Sequence, residues 1–199
     1  MIARYITIER EYGSGGTQIA RTLSQTTGIP CYGREILEEV SRSYDISVDR
    51  IEQYEEATTN SFLYSVVAMA KANAGEGDLL AREGHLFVAE QAAIRRFAAL
   101  GPGIFVGHCA GEALRGFPGV VKVFIRSSDE AGKNRRIAQV YGVPQEDVQS
   151  RRKWFDRKRA RYYNGNTGNR WEDLTKYDLV LDSGTLGLEG CVAALKGLL

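Results

Sequence analysis

The chain has 199 residues, of which 43% are hydrophobic and 26% are charged, and its formal net charge is +1. This composition excludes an intrinsically disordered chain, and the length fits one globular domain with a substantial core. The near-zero net charge excludes a polyelectrolyte that binds nucleic acid or membranes with its whole surface.

The N-terminus and the cysteines predict a cytoplasmic protein. The first five residues lack the apolar run of a signal peptide, and the apolar stretch at 62–70 is too short to span a bilayer. The cysteines are odd in number, lie far apart in sequence and form no C-x-x-C pair; they are Cys31, Cys109 and Cys191. We therefore expect reduced thiols rather than a disulfide framework or a zinc site.

Short apolar strands alternate with amphipathic helices along most of the chain. Strands are predicted at 5–8, 29–32, 104–106, 120–125 and 177–181. Helices are predicted at 17–26, at 34–43, from 129 to about 141, from 144 towards 163, and at 188–198, and the stretch of about 45–100 is predicted to be mostly helical. This alternation predicts an α/β fold whose parallel sheet is covered by helices on both faces.

We found no linker that would divide the chain, so residues 1–199 are predicted to form a single domain. Its core is expected at about 1–44 and 101–199. The helical stretch of about 45–100 is expected to be an insertion beside the sheet.

A glycine-rich loop follows the first predicted strand and precedes the first predicted helix. It has the sequence Glu-Arg-Glu-Tyr-Gly-Ser-Gly-Gly-Thr over residues 9–17. Glycines allow backbone N–H groups to converge on an anion, and a helix N-terminus adds about half a positive charge. The glycines alone also fit a tight turn chosen for backbone geometry, and it is the position between strand and helix that favours phosphate binding. The candidate phosphate-binding residues are Arg10, Gly13, Ser14, Gly15, Gly16 and Thr17.

The loop matches the phosphate-binding pattern G-x-x-x-x-G-K-[ST] only in part. When Gly15-Gly16-Thr17 is aligned with G-K-[ST], Arg10 stands at the first glycine of the pattern and Gly16 stands at the lysine. Thr17 keeps the hydroxyl that would help to hold Mg²⁺. A phosphate site here needs a cation from elsewhere, and Arg10 and Arg21 are the local candidates.

Two acids, Glu9 and Glu11, add negative charge beside this loop. They fit an anion site only if they face away from it or orient a metal-bound water.

Positive charge is concentrated in one later segment. Residues 151–161 carry seven Lys and Arg against one acid, so this segment holds +6 and the rest of the chain −5. Val148, Phe155 and Tyr162 repeat every seven residues, which gives the predicted helix an apolar stripe for docking.

Three interpretations of this basic helix remain open. It could hold polyphosphate, because arginines neutralise the charge that spreads over a migrating phosphoryl group. It could be a solvated, salt-bridged surface, or it could bind RNA with Tyr162, Tyr163 and Trp171 as stacking groups. Asp156 favours the first interpretation, because it could orient the surrounding arginines.

Taken together, five segments resemble the cytidylate kinase-like family, a branch of the nucleoside monophosphate kinases with the P-loop fold. The segments span nearly the whole chain, and their order and spacing carry the resemblance. They are ITIEREYGSGG at 6–16, GIPCYGREIL at 28–37, VGHCA at 106–110, DRKRARYY at 156–163 and YDLVLDS at 177–183.

The resemblance implies a three-layer P-loop kinase-like α/β fold, with a mostly parallel sheet flanked by helices. It implies ATP-dependent and Mg²⁺-dependent phosphoryl transfer to a nucleoside monophosphate, with CMP or dCMP as the first candidates. The helical insertion of about 45–100 would help to bind the acceptor, and an arginine-rich lid helix within about 144–170 would close over the donor phosphates. The family's glycine loop also commonly contains Gly-Ser-Gly-Gly, so the missing lysine is a family trait.

The resemblance also implies roles for single residues. The backbone of 13–16 would cradle the donor phosphates, and Thr17 would approach Mg²⁺. The charge of the transition state would be met by the lid residues Arg152, Arg157, Arg159 and Arg161, and Asp156 of the same lid would orient these arginines. Arg34 and His108 are expected to contact the acceptor, although His108 also fits a buried, hydrogen-bonded histidine.

Two departures from the family pattern lie in segments expected near the acceptor. Gly33 replaces a usual acidic residue, and His108 replaces a usual arginine. Together with Gly16, these departures keep two alternatives open: a nucleotide-binding regulatory protein without turnover, and a kinase of another small metabolite. Neither a membrane nor nucleic acid is expected as a partner.

Overall fold

The computed structural model of the chain describes residues 2–45, 47–49, 51 and 85–199. Its strands are β1 (Tyr5–Arg10), β2 (Cys31–Tyr32), β3 (Gly103–Val106), β4 (Val120–Arg126) and β5 (Leu179–Asp182). Its helices are α1 (Gly16–Thr27), α2 (Arg34–Tyr44), α3 (His85–Leu100), α4 (Ala110–Ala113), α5 (Glu130–Tyr141), α6 (Val148–Thr167) and α7 (Ser183–Lys196), with a 3₁₀ turn at Leu174–Lys176.

The five strands form one parallel sheet in the order β2-β3-β1-β4-β5. The chain moves outward from β1 to β2, returns through β3, and then crosses β1 to reach β4 and β5. The strands that follow β1 are therefore added first on one side of it and then on the other. At such a reversal of strand order, a crevice is expected at the carboxyl ends of the central strands.

Alternate side chains of the strands build two cores, one on each face of the sheet. Tyr5 and Phe105 belong to the core shared with α2, α3 and α4. Ile6, Ile8 and Ile104 belong to the core shared with α1 and α7. This two-sided burial confirms the predicted α/β fold with a parallel sheet between helical layers.

The strands and helices predicted outside the stretch of about 45–100 all occur in the described residues, and their ends differ for local reasons. The last helix begins at Ser183 rather than 188, because the Asp182 carboxylate accepts a hydrogen bond from the Gly184 amide at 2.9 Å and caps it. Gly187, at φ 69°, then kinks that helix. The basic helix begins at Val148 rather than at 144 and continues past 163 to Thr167.

The prediction of a helical insertion at about 45–100 falls largely outside the described residues. Within it, α3 is described and packs its buried Ala89, Ala93 and Ile94 into the core shared with α2. The division of the chain into core, insertion and lid stays a prediction. None of the described helices is long and apolar enough to cross a membrane.

The basic helix α6 docks on the molecule through the predicted apolar stripe and through residues beside it. Val148 is buried, and Phe155 packs next to it against the glycine loop. Further along α6, Ala160 and Tyr163 are buried in a cluster with Phe124 of β4. The helix therefore lies across the carboxyl end of the sheet.

Candidate functional site

The glycine loop between β1 and α1 has a tightly bonded backbone. Gly13 and Gly15 have φ of 80° and 83°, a left-handed conformation that disfavours side chains. Ser14 is fully buried; its hydroxyl donates to the carbonyl of Glu11 at 2.8 Å and accepts from the amide of Gly16 at 3.3 Å. These bonds hold the loop in one shape at the start of α1.

Several amides of the loop remain available for a ligand. Among the hydrogen bonds of the described residues, none is donated by the backbone N–H of Gly13, Gly15 or Thr17. They lie in the loop and the first turn of α1, where the helix dipole favours an anion. This is the arrangement that binds phosphate at helix N-termini.

Both acids of the loop region have hydrogen-bond partners elsewhere in the fold. The Glu9 carboxylate accepts from the indole Nε1 of Trp171 at 3.3 Å. The Glu11 carboxylate accepts from the Ser127 amide at 3.0 Å and from Lys133 Nζ at 3.1 Å. Glu11 is thus paired with a cation, whereas Glu9 also lines the cleft beside the loop and remains part of the charge balance of the site.

The loop is also bonded to the basic helix α6. The Asp156 carboxylate accepts from the Tyr12 amide at 2.6 Å. The Tyr12 ring stacks on Phe155 at a centroid distance of 4.3 Å. Arg159 donates from Nη1 to the carbonyl of Arg10 at 2.9 Å. Asp156 therefore holds the loop itself, in addition to lying near an arginine as predicted.

A cleft of about 360 Å³ opens beside the loop, at the carboxyl ends of β1 and β3. Its wall carries five cationic side chains against two carboxylates, a balance that attracts anions. The lining residues are Glu9, Arg10, Thr17, Arg21, Cys31, Gly33, Arg34, Glu35, Leu37, Val106, Gly107, His108, Cys109, Phe155, Lys158, Arg159, Tyr162 and Tyr163.

Both predicted acceptor residues lie on the wall of this cleft. Arg34 begins α2 and pairs with Glu38 at 3.6 Å. His108 follows β3, and its Nδ1 lies 3.2 Å from a carboxylate oxygen of Glu90, whose side chain is fully buried. The hydroxyl of Tyr162 from α6 donates to the same carboxylate. His108 is therefore both hydrogen-bonded and adjacent to the cleft, so the two interpretations of this residue are compatible.

The predicted lid arginines do not converge on one point. Arg159 lines the cleft, and burial, followed by the nearby charge of Arg10, lowers its pKa to about 10. Arg152 bonds Glu130 of α5 and lines, together with Arg157, a second cleft of about 350 Å³. Arg161 is exposed. The described conformation thus brings one of the four to the glycine loop.

The aromatic groups proposed for RNA stacking are mostly covered, although Tyr162 and Tyr163 also line the cleft. Tyr163 and Trp171 are buried in the cluster beneath α6, and Tyr162 is half-buried against it. Stacking on bases requires exposed ring faces, and the burial of Tyr163 and Trp171 does not favour this use; RNA binding stays an untested alternative. The rings instead anchor α6 to the sheet.

The donor set around the loop fits Mg²⁺ that arrives with a nucleotide. No group of three His, Cys, Asp or Glu side chains that could hold a metal occurs among residues 2–45, 47–49, 51 and 85–199. Mg²⁺ commonly keeps several waters and binds through one or two protein oxygens plus substrate phosphates. The Thr17 hydroxyl at the edge of the cleft could supply such an oxygen.

Comparison with known proteins assigns the chain to a family. The cytidylate kinase-like family matches residues 5–185. The chain belongs to this family. A search of curated protein sequences found no match.

Solved structures with the same fold cover almost the whole chain. An uncharacterized protein from Eubacterium ventriosum superposes with a TM-score of 0.69 at 23% identity, covering 96% of this chain and 94% of that chain. A shikimate kinase from Bacteroides thetaiotaomicron has a TM-score of 0.57 at 12% identity, covering 100% and 98%. TT1252 from Thermus thermophilus has a TM-score of 0.54 at 18% identity, covering 100% and 97%. These likenesses show the fold, which is that of the P-loop kinases.

Within this cytidylate kinase-like chain, both departures from the family pattern lie on the cleft. Gly33 and His108 line it, on the side formed by β2 and β3. Both positions thus belong to one cleft, and their expected place near the acceptor stays a prediction. A glycine and a hydrogen-bonded histidine leave that side of the cleft less charged than an acid and an arginine would.

Three cationic residues of the site were missed by sequence reasoning. Arg136 of α5 donates to the Gly13 carbonyl, Lys133 bonds Glu11, and Lys158 lines the cleft. The pattern of α5 identified a helix but could not indicate that it packs beside the loop. Lys158 was counted in the basic helix, and no spacing rule separated it from its six neighbouring cations.

Proposed function

We propose that this protein transfers the terminal phosphoryl group of ATP to a nucleoside monophosphate, with CMP or dCMP as the first candidates. The observation that supports this proposal most directly is the cationic cleft beside a glycine loop with unpaired amides. A kinase needs two adjacent anion sites, one for the donor phosphates and one for the acceptor. The loop and the cleft supply two such sites that meet at Thr17.

The donor phosphates would lie against the amides of Gly13, Gly15 and Thr17. Mg²⁺ bound with them would neutralise part of their charge, with Thr17 as its protein ligand. Arg136 stands beside this loop, since a Cβ on Gly15 would lie 3.5 Å from its guanidinium carbon. It adds a second cation beside the loop amides, in addition to Arg10.

The acceptor would occupy the cleft, with its phosphate on Arg34 and Lys158 and its base towards His108. An oxygen of the acceptor phosphate attacks the terminal phosphorus of ATP, the bond to the bridging oxygen breaks, and ADP leaves. Arg159 lies between the loop and the cleft, where it would stabilise the charge on the transferred group. No general base is needed, because positioning and electrostatics carry this chemistry.

The remaining lid arginines, Arg152, Arg157 and Arg161, would act only if α6 moves further over the donor. In the described conformation the first two line the second cleft. Closure of such a helix would exclude water from the reaction.

A coupled assay for ADP release across the common nucleoside monophosphates tests the proposal. We expect turnover with CMP or dCMP, and a fall on the order of 10²-fold in kcat for Arg159→Ala, because one charged contact to the transition state is lost. Arg170→Ala is the matched control, since Arg170 is 81% exposed and is not among the residues lining the cleft. No turnover with any monophosphate at millimolar concentration would defeat the proposal.

Two other functions are decided by the same assay. A kinase of a small metabolite is favoured by the replacement of the family's usual acid and arginine by Gly33 and His108 on the cleft wall, and an arm with shikimate, the substrate named for one neighbour, tests that class. A regulatory protein without turnover is favoured by the absence of the loop lysine at Gly16. It predicts thermal stabilisation by ATP without any product.

A further inference from the structure

The two positions at which the loop departs from the phosphate-binding pattern lie against each other in space. Arg10 stands at the first glycine of the pattern, and Gly16 stands at its lysine. A Cβ on Gly16 would lie 2.6 Å from Cβ of Arg10 and 2.9 Å from its Cγ. Carbon atoms in contact stay about 3.5–4.0 Å apart. A lysine at 16 therefore cannot coexist with the Arg10 side chain where it lies.

The guanidinium of Arg10 points from the loop towards the cleft. A Cβ on Gly107 would lie 2.5 Å from Nη1 of Arg10, so the group passes over a glycine that follows β3. Arg10 lines the cleft together with Thr17, which places it where loop and cleft meet. Gly16 and Gly107 are thus the two glycines that leave room for this one side chain.

The surroundings of Arg10 leave its charge available to an anion. Its Nε is buried and has no hydrogen-bond partner among the described residues. No acceptor among the described residues therefore holds the Nε edge of the guanidinium, and its terminal nitrogens are the donors that a phosphate oxygen in the cleft would meet. The charge of Arg10 also contributes, after burial, to the lowered pKa of Arg159. An anion between the two guanidinium groups would relieve this repulsion.

We infer that Arg10 replaces the P-loop lysine as the cation that contacts the terminal phosphates of a bound nucleoside triphosphate. The inference rests on the proposed function for its catalytic part. The lysine function has moved from the first turn of the helix to the end of the strand, and the side chain that performs it fills the space a lysine would need. The arginine at position 10 and the glycine at position 16 are therefore explained together, as the replacement of one cationic side chain by another.

A reciprocal exchange of the two residues tests this inference. Arg10→Gly should lower kcat/KM on the order of 10²-fold and weaken ATP binding, because a charged contact to the phosphates is lost. Gly16→Lys should also impair binding, because the new side chain collides with Arg10. The double variant Arg10→Gly/Gly16→Lys should recover most of the loss, since it restores the lysine and the space for it.

The matched control is Arg10→Gly/Gly16→Met, which adds a side chain of similar length without a charge. It should remain as impaired as Arg10→Gly. Recovery with Met equal to that with Lys would overturn the inference, and so would wild-type ATP affinity in Arg10→Gly or a folded double variant no better than Arg10→Gly.

ATP affinity by calorimetry keeps the two proposals separable. If the wild-type protein binds ATP but phosphorylates no acceptor, the proposed function fails, and the binding cycle still decides the role of Arg10. Circular dichroism and thermal melts establish that each variant is folded. If Arg10→Gly does not fold, Arg10→Met replaces it in the binding arm, where wild-type affinity would again overturn the inference.

Discussion

Glu9 is an acid at the end of a strand that faces a cleft rich in cations. Burial raises its pKa above the ordinary value of 4.5, although Arg10, the Trp171 indole and Arg159 each act in the opposite direction. Desolvation therefore outweighs the neighbouring charges at this position. The carboxylate is held by the Trp171 indole at 3.3 Å, which fixes it at the floor of the site.

The raised pKa of Glu9 predicts a pH-dependent stability difference between the wild type and Glu9→Gln. Between pH 4.5 and the raised native pKa, the native state holds a proton that the unfolded state has lost. The contribution of Glu9 to the free energy of unfolding is thus full below pH 4.5 and is lost as pH rises through the raised native pKa. Urea unfolding of both proteins from below pH 4.5 to neutrality should show the wild type losing stability relative to Glu9→Gln as pH rises.

Asp173→Asn is a control of opposite sign for this experiment. The hydroxyl and amide of Thr175 lower the pKa of Asp173 below its ordinary value of 3.8. The contribution of Asp173 to the free energy of unfolding should be present above pH 3.8 and be lost as pH falls through the lowered native pKa. A difference between wild type and Glu9→Gln that does not change with pH would contradict the first prediction.

At the scale of elements, helix α6 is coupled to the glycine loop by a partly buried carboxylate and by two neighbouring side chains. The Asp156 carboxylate accepts a hydrogen bond from the Tyr12 amide at 2.6 Å, and burial raises the pKa of Asp156. Next to it, Phe155 stacks on the Tyr12 ring, and Arg159 reaches the Arg10 carbonyl. A movement of α6 must therefore either break these contacts or move the loop with the helix. We expect the lid and the donor loop to move together.

Asp156→Ala should uncouple the helix from the loop. The substitution leaves the Tyr12 amide without its acceptor, which should lower the free energy of unfolding by about 1–3 kcal/mol. Hydrogen exchange at the Tyr12 amide should accelerate by more than exchange in the core strands. Asp156→Asn keeps an acceptor oxygen and should retain most of the protection. Equal exchange rates in the Ala and Asn variants would show that this bond does not hold the loop.

At the scale of the whole molecule, segments from both ends of the chain meet at the glycine loop. Ser183, which begins α7, donates to the carbonyl of Ser14 at 2.7 Å and lies 3.1 Å from that of Arg126. The next residue, Gly184, packs so closely that a Cβ would lie 2.5 Å from the amide of Asp129. The N-terminus of the last helix is thus hydrogen-bonded to the backbone of the glycine loop.

Ser183→Ala should weaken both stability and nucleotide binding. It removes the hydroxyl that satisfies a buried carbonyl, which should cost about 1–3 kcal/mol in urea unfolding. Because the loop loses a support, ATP affinity by calorimetry should fall as well. Thr26→Ala is the matched control, since that hydroxyl bonds a carbonyl within α1 on an exposed surface. A Ser183→Ala protein with lower stability and unchanged ATP affinity would limit the role of Ser183 to folding.

The sequence alone determined the order of elements, the parallel α/β architecture and the position of the glycine loop. These features depend on periodicity and turn residues within short segments, such as the glycines at 13 and 15 and the alternation along 5–8. It also identified the family, since the motifs are spread along nearly the whole chain. Even the docking stripe of the basic helix could be read from its seven-residue spacing.

Only the tertiary structure decided which charges meet at the site. With seven cations in eleven residues, α6 carries charge on every face, and the packing of Tyr163 and Trp171 turns Arg159 inwards and Arg152 towards Glu130. Arg136 comes from another helix, more than a hundred residues away in sequence from the carbonyl that it bonds. Contacts between distant segments depend on how elements pack, and local patterns carry no information about that packing.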